Sequence, residues 1–371
     1  MVYLEVRLLV AVLIFCDYIF GGKVVMRKML IAFLLALVSC SLVVVMVGCG
    51  SQNQNSQAEV AVPDQAEAAG ITDLVPLSST FKKYVLDDAW HPHSESNSNY
   101  NVGRGLPRSE WGLAIDTEGK LYVPLFDTTT YIFGSDNGYL VDSWSGYPSL
   151  ISRIAIDKRR SRMYAIRVFV GDRGGMYSEV RVYSISSTRS PRLLTTWAST
   201  DFSVGPSKIA VDESSGNIYV ANRTEIRKLN SNGRVLLSWK RYGRGSTVDI
   251  EVKDLAVDSL GNVYAITDTT LYKYNSSGGY LMDRAVNGGT ATAIAIDSLD
   301  KIFVAVSPAT GGATDFIARY NSDGIFLNTF GSGHLVSVRG VVFDETKKVY
   351  VRDYNGLHCF KLVFMTSGSK G

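Results

Sequence analysis

Cysteine and proline are scarce in this sequence of 371 residues, and neither sign of charge dominates. Four cysteines cannot form a disulfide framework in so long a chain, and Cys16, Cys40 and Cys49 all lie in or at the end of apolar N-terminal stretches. Nine prolines against 34 glycines and 20 tyrosines favour many short strands joined by tight turns. With 20% charged residues and 46% hydrophobic residues, the chain is neither a polyelectrolyte nor disordered, and its stability must come from burial.

Recognisable catalytic motifs are also missing. The sequence contains no Ser-His-Asp or Cys-His arrangement and no glycine-rich phosphate loop, and GSGH (331–334) is predicted to be an ordinary loop. The sequence therefore identifies no catalytic residue, we predict no cofactor, and we favour a binding protein over an enzyme.

The N-terminal region has the features of an export signal. An uncharged apolar run, 29–48, follows Arg27 and Lys28 and ends at Gly48-Cys49. This resembles a bacterial lipoprotein signal, which implies cleavage before Cys49 and a diacylglycerol on its sulfur. Cys40 has a better-matching box, but cleavage there would leave an exposed apolar N-terminus, and an uncleaved signal anchor is the other alternative. All of these alternatives place the body of the protein on the extracytoplasmic side of a membrane.

Segment boundaries follow from this interpretation. We predict a signal region at 1–49, with Met26 as the true translation start, and a flexible linker at 50–75 that is small, polar and acidic. The folded body is predicted to span 76–365, and 366–371 forms a disordered tail.

The body repeats one phrase six times. The six copies end in an aspartate and lie 39 to 55 residues apart: WGLAID (111–116), SRIAID (152–157), SKIAVD (207–212), KDLAVD (253–258), TAIAID (292–297) and RGVVFD (339–344). That period is typical of a four-stranded propeller blade. Each aspartate precedes a polar turn and a second apolar strand, so its carboxylate is predicted to fix the turn by accepting backbone amides.

A third and a fourth strand complete each repeat. The fourth strand ends in a large aromatic residue in four repeats: Trp144, Trp197, Trp239 and Phe330. This regularity predicts packing between blades. Blade 1 lacks a clean third strand by pattern, and blade 2 carries an insertion around 171–180.

The sixth repeat ends without a fourth strand. The segment 81–90, FKKYVLDDAW, precedes the first full repeat and ends in Trp90, as the fourth strands end in tryptophan. We therefore predict that the N-terminal strand completes the last blade and closes the ring, which leaves no exposed sheet edge. The predicted fold class is all-β, a six-bladed β-propeller of four-stranded antiparallel blades.

The body resembles the NHL-repeat family of six-bladed propellers, most clearly over 207–239 and 253–281. That family includes binding scaffolds and a few enzymes, so the resemblance implies the fold more firmly than a function. In such propellers the residue before each inner strand and the residue ending each second strand meet at one mouth of the central channel. The first ring is then Gly112, Arg153, Lys208, Asp254, Ala293 and Gly340, and the second is Leu125, Arg167, Asn222, Thr267, Val306 and Asp353.

These rings supply the predicted ligand site. Its predicted residues are Arg153, Arg167, Lys208, Asn222, Asp254 and Asp353, and the three cations in blades 2 and 3 favour an anionic group such as a carboxylate, phosphate or uronate. The alternative is that they are solvated rim charges paired with the two aspartates. Anionic envelope polysaccharide, a small acid or a protein is the expected partner of a monomer that does not bind nucleic acid.

Two enzyme alternatives depend on a metal in the channel. His91, His93 and His334 are predicted in between-blade loops on one side, and three histidines there would resemble the zinc site of peptidyl-amidoglycolate lyases. A lactonase would instead need several carboxylates around calcium, and the rings offer only Asp254 and Asp353. We predict no metal site.

Overall fold

Six four-stranded antiparallel sheets follow one another along the chain, which confirms the predicted all-β, six-bladed propeller. The computed structural model describes residues 80–93, 112–125, 129–145, 150–170, 175–186, 189–197, 205–222, 225–240, 251–309 and 313–366. They belong to a compact unit, Pro76–Gly371. The predicted signal region, Cys49 and the linker lie outside the described residues. No helix in the described ranges is both long enough and apolar enough to cross a membrane.

The strand bounds show how regularly the repeat is used. Blade 1 contains β2 (Ala114–Ile115), β3 (Lys120–Pro124), β4 (Thr129–Gly134) and β5 (Leu140–Ser145). Blade 2 contains β6 (Leu150–Asp157), a 3-10 helix (Lys158–Arg160), β7 (Arg162–Val170), β8 (Met176–Ser186) and β9 (Arg189–Trp197). Blade 3 contains β10 (Lys208–Asp212), β11 (Asn217–Ala221), β12 (Glu225–Leu229) and β13 (Val235–Lys240).

The second half of the ring continues the pattern. Blade 4 contains β14 (Asp254–Val257), β15 (Val263–Ile266), β16 (Thr270–Tyr274) and β17 (Tyr280–Ala285). Blade 5 contains β18 (Gly289–Ile296), β19 (Ile302–Pro308), β20 (Asp315–Tyr320) and β21 (Phe326–Leu335). Blade 6 contains β22 (Gly340–Phe343), β23 (Val349–Arg352) and β24 (Leu357–Thr366), and its fourth strand is β1 (Thr80–Leu86).

The antiparallel order gives the propeller two different faces. Tight turns from first to second strand and from third to fourth strand lie on one side, which we call the turn face. Connections from second to third strand and from blade to blade lie on the other side, which we call the loop face. The first strand of each blade lines the central channel.

The repeated aspartates fix the inner turns, as predicted. Asp258 Oδ1 accepts hydrogen bonds from the amides of Leu260 and Asn262 at 3.1 and 2.8 Å, and its Oδ2 accepts one from the Tyr264 hydroxyl at 3.1 Å. The corresponding bonds recur at Asp116 and Asp344, where a tyrosine of the second strand again donates to the carboxylate. In these three blades the tyrosine in the third place of the second strand thus ties the inner hairpin together.

Apolar side chains fill the spaces between adjacent blades. Six buried clusters each draw residues from two neighbouring sheets. The terminal tryptophans extend this packing: Trp239 lies between Tyr219 of its own blade and Tyr274 of the next, with ring centroids 6.2 and 6.1 Å apart. The predicted packing role of these tryptophans is therefore confirmed.

Ring closure occurs at blade 6, as predicted, and β1 is displaced along β24 relative to β23. β1 pairs with β24 from Thr80 opposite Thr366 to Leu86 opposite Phe360. Only residues 357–360 of β24 pair with β23, so most of β1 pairs with a part of β24 that extends past the rest of the blade. Trp90 lies beyond the end of β1 and packs against Tyr350 with centroids 5.3 Å apart.

Two local predictions are wrong. Blade 1 has a regular third strand, β4, which pairs with both β3 and β5. In blade 2, where the sequence carries an insertion, β7 and β8 are longer than in the other blades. The GSGH segment (331–334) lies inside β21, because the fourth strand of blade 5 continues past Phe330.

Candidate functional site

The channel contains a cavity of about 240 Å³. Arg153 and Asp254 line it towards the loop face, and Lys158 and Glu213 line it towards the turn face. Between them the walls are apolar because the inner strands present Leu113, Ile115, Ile154, Ile156, Ile209, Leu255, Ile294 and Val341. The cavity therefore has polar groups at its ends and an apolar middle.

Arg153 is buried at the loop-face mouth, with 5% of its surface exposed. Its Nη1 donates to the carbonyl of Arg339 at 3.3 Å and lies 3.9 Å from Asp254 Oδ2. That oxygen also accepts the amide of Ile294 at 3.2 Å, so the carboxylate is shared. Arg153 Nε is buried and has no hydrogen-bond partner among the described residues. The guanidinium is thus incompletely satisfied by the protein.

Lys208 begins β10 and is only 1% exposed. Burial lowers the pKa of its ammonium group to about 8, although the negative charges of Asp254 and Glu251 act in the opposite direction. Arg153 and Lys208 are therefore buried rather than solvated, and Arg153 pairs with Asp254, as the alternative of rim pairs expected. Buried charges interact more strongly than charges on the surface.

Arg352 is a third buried cation that the sequence analysis missed. It ends β23, opposite Gly340, and donates to the carbonyls of Pro124 at 2.7 Å and Gly112 at 3.5 Å. Burial and the neighbouring charge of Arg153 lower its pKa to about 9, so it stays charged at neutral pH. A signal was present in the sequence, because the equivalent position is uncharged in the other five repeats: Pro124, Ile166, Ala221, Ile266 and Ala305.

Small residues on the opposite side of the mouth leave room for this cluster. The first ring has Gly112, Ala293 and Gly340 in blades 1, 5 and 6. A Cβ at Gly112 would lie 3.0 Å from the backbone nitrogen of Ile154 and 3.3 Å from Arg153 Cδ. A larger residue there would crowd the backbone of blade 2 and the stem of Arg153.

Two other predicted site residues, Arg167 and Asn222, make their contacts within their own blades. Arg167 binds Glu179 at 2.9 Å and stacks on Phe169 at 4.7 Å, within blade 2. Asn222 is buried, and its Oδ1 accepts the amide of Glu225 at 2.9 Å. Both residues therefore have local structural contacts.

Asp353 is buried and largely occupied by its own loop. Its carboxylate accepts the amides of Val336, Asn355 and Gly356 at 2.8 Å each. His358 Nε2 lies 3.0 Å from Asp353 Oδ1, which places this histidine in the same local network. Among the predicted residues, the structure brings together Arg153, Lys208 and Asp254, and it adds Arg352.

The turn-face mouth has the opposite electrostatic character. A second cavity of about 410 Å³ is lined there by Lys158 and Arg159 and by seven acidic residues: Asp212, Glu213, Asp258, Asp297, Asp300, Asp344 and Glu345. Burial and the charges of Asp157 and Glu345 raise the pKa of Glu213, opposed by Lys158 and Arg159. An anion is therefore attracted to the loop-face mouth and repelled by the turn-face mouth.

The three histidines considered as metal ligands occupy different elements. His91 and His93 follow β1, where His93 forms a bridge with Tyr139, whereas His334 lies exposed in β21 rather than in a loop. In the described part of the chain, no group of three or more His, Cys, Asp or Glu residues is arranged to hold a metal ion.

Comparison with known proteins assigns no family. No protein-family model matches the chain. No curated protein matches it significantly.

Proposed function

We propose that this chain is a lipid-anchored, extracytoplasmic binding module that captures a compact anionic ligand at the loop-face mouth of its propeller channel. The observation that carries the proposal is the burial of Arg153, Lys208 and Arg352, of which Arg153 lies 3.9 Å from Asp254 and Lys208 interacts with the charge of the same carboxylate. Buried cations that are incompletely paired are costly for folding, and a bound carboxylate or phosphate would supply negative charge and accept the free Arg153 Nε hydrogen.

Ligand size and class follow from the cavity. About 240 Å³ accommodates one anionic group with a small body rather than a folded protein segment. The apolar channel wall beyond the cations suits the ring or short chain that carries the anion. Uronate residues of an envelope polysaccharide or a small organic acid meet this description.

The extracytoplasmic location of the protein is proposed from its N-terminal sequence. The apolar run 29–48 and Gly48-Cys49 support export and lipidation at Cys49, and the resemblance of the repeats to NHL propellers supports a binding role. The monomeric state belongs to the same proposal, since all six blades come from one chain.

Calorimetric titration of the purified protein with glucuronate, and with glucose as the neutral control, tests the binding site. We expect glucuronate binding that weakens with added salt and that falls at least tenfold in Arg153→Gln and in Lys208→Gln. Lys253→Gln is the matched control, because Lys253 lies near the mouth but pairs with Glu251 and Asp268. Equal affinity for glucose, or equal losses in all three variants, would contradict an anion site in the channel.

The Arg167→Gln variant tests whether Arg167, which the sequence analysis placed in the site, contributes to ligand binding. If Arg167 contributes to the site, its loss weakens glucuronate binding as strongly as the loss of Arg153. Because Arg167 is held within blade 2 by a salt bridge to Glu179 and by stacking on Phe169, we expect a change of less than threefold.

A further inference from the structure

The two cavities of the propeller form one passage from mouth to mouth. Lys158, Glu213, Ile296 and Phe343 line both the cavity of about 240 Å³ and the turn-face cavity of about 410 Å³, so the two spaces adjoin. Lys208 begins β10 and Glu213 directly follows that strand, so five residues separate the two ends, or about 17 Å at the rise of a β-strand. A ligand that reaches both ends must therefore be elongated.

The innermost strand of every blade has one edge without a neighbouring strand. Each sheet ends at this strand, which is hydrogen-bonded only to the second strand of its own blade. The residues of these strands that line the first cavity are consecutive, as in 113–115, 153–156 and 294–296. Because the side chains of a strand alternate between its two sides, consecutive lining residues indicate that the strand edge itself faces the passage. The walls therefore offer backbone amides and carbonyls as well as apolar side chains.

The inner strand of blade 3, β10, connects the two charged ends of the passage. Its residues Ile209 and Ala210 line the first cavity, and Val211 lines the second. Among the described residues, no hydrogen bond joins these three to a neighbouring blade. In blades 1 and 5, by contrast, the amides of Gly112 and Ile294 already donate to groups of other blades. The channel edge of β10 can therefore pair with an extended chain.

Glu213 places an unpaired carboxylate at the turn-face end of the passage. It is half-buried, and within the described ranges its carboxylate accepts no hydrogen bond and forms no ion pair. Asp212, Asp258 and Asp344 of the same cavity are instead occupied by the amides of their own turns. Seven acidic residues against two cations leave an excess of negative charge there. This end therefore lacks a cationic group, whereas Arg153 Nε at the other end lacks an acceptor.

We propose that the ligand is a short zwitterionic peptide of about four residues that lies extended along the channel edge of β10. Its C-terminal carboxylate meets Arg153 and Lys208, and its N-terminal ammonium group meets Glu213. A peptide in this orientation runs opposite to β10 and adds a strand by antiparallel pairing. Four extended residues span about 13 Å, and the side chains at both ends of the passage reach inward to meet them. This inference rests on the proposed anion site and names the class of ligand that the site receives.

Other elongated ligands satisfy only part of these features. A chain of several uronates would bring further negative charge towards the turn-face carboxylates. An amino acid with a long polymethylene chain would supply both charges but would leave the edge of β10 unpaired. A peptide supplies the anion, the cation and the backbone groups together.

Calorimetric titration of the purified full protein with tetra-alanine tests the peptide class. N-acetylated tetra-alanine lacks the ammonium group, and its C-terminal amide lacks the carboxylate. A third form, with both central amides N-methylated, keeps both charges but cannot donate hydrogen bonds from those amides to β10. We expect each modified peptide to bind at least tenfold more weakly than tetra-alanine.

The Glu213→Gln variant tests the contact at the turn-face end. Tetra-alanine should bind this variant at least tenfold more weakly than the wild type, whereas acetylated tetra-alanine should show no further loss. Glu345→Gln is the matched control, because Glu345 lines the same turn-face cavity but is exposed. The affinity of the control for tetra-alanine should change by less than twofold.

The outcomes separate the peptide from the anion site. Glucuronate binding that depends on Arg153, together with equal affinities for tetra-alanine and its acetylated form, would overturn the peptide inference and leave the anion site standing. Failure of both glucuronate and tetra-alanine to bind would overturn both. Equal losses in Glu213→Gln and Glu345→Gln, or undiminished binding of the N-methylated peptide, would also overturn the inference, because the contact with Glu213 and the pairing with β10 define it.

Discussion

Substituting Lys208 by methionine tests whether the buried ammonium group lowers the stability of the fold while contributing to ligand binding. The change removes the ammonium group and keeps most of the side-chain volume. Burial lowers the pKa of Lys208 from 10.5 to about 8, and this difference corresponds to about 3 kcal/mol by which the folded state disfavours the charged form. We therefore expect Lys208→Met to be more stable than the wild type at pH 7, by about 2 to 3 kcal/mol, while glucuronate binding is lost.

The pH dependence gives this prediction its sign. Because the folded pKa lies below the unfolded one, the unfolded chain binds more protons between pH 8 and pH 10.5, and the wild type gains stability as the pH rises through that window. The penalty is fully present below pH 8. The methionine variant has no such group, so its advantage should shrink by about 2 kcal/mol between pH 7 and pH 9.5.

Urea unfolding followed by tyrosine and tryptophan fluorescence at both pH values measures the difference. Lys240→Met, at an exposed position at the end of β13, is the matched control and should show no pH-dependent change relative to the wild type. A Lys208→Met variant that is less stable at pH 7, or whose advantage is the same at pH 9.5, would refute the reasoning.

Three further changes test closure, turn geometry and anchoring. Deleting 76–90 removes β1 and Trp90 and should lower the melting temperature by about 10 °C or more. Deleting 50–70 should leave the melting temperature unchanged. Equal melting temperatures for the two deletions would mean that the ring closes without β1. Gly233→Ala should lower the free energy of unfolding in urea by about 2 kcal/mol, because φ is +82° and the added Cβ would lie 2.6 Å from the Trp197 ring. Gly333→Ala, where φ is +89° but no atom lies within 4 Å of the added Cβ, should lower it by about half as much. Cys49→Ser should leave an unprocessed precursor on a denaturing gel, and normal processing would argue against lipidation there.

Local sequence patterns were sufficient where one interaction recurs in several blades. The aspartate ending each inner strand and the aromatic residue of the next strand form the same turn network at Asp116, Asp258 and Asp344. Trp90 marked the closing segment because the fourth strands of four other blades also carry a large aromatic residue towards their end. The register of β1 was not predictable, since it depends on how far β24 continues past blade 6.

The candidate site shows where such patterns stop being informative. Arg153 and Arg167 look equivalent in the sequence, but Arg167 forms a 2.9 Å salt bridge with Glu179 on the neighbouring strand β8, whereas Arg153 donates to the Arg339 carbonyl and lies 3.9 Å from Asp254 of another blade. Arg352 was missed because the neighbouring Asp353 also ends the second strand by pattern, and only the pairing of Gly340 with Arg352 shows which side chain reaches the mouth.

Sequence alone determined the fold of this protein, because six copies of a short alternating phrase can bury their apolar faces only by packing against one another in a ring. It also determined the predicted signal, whose apolar length and terminal cysteine are local properties. Tertiary structure decided the electrostatics of the channel. The pKa of Lys208 and the unmet hydrogen-bonding capacity of Arg153 depend on burial and on charges from other blades, and these exist only once strands distant in the chain meet at one mouth.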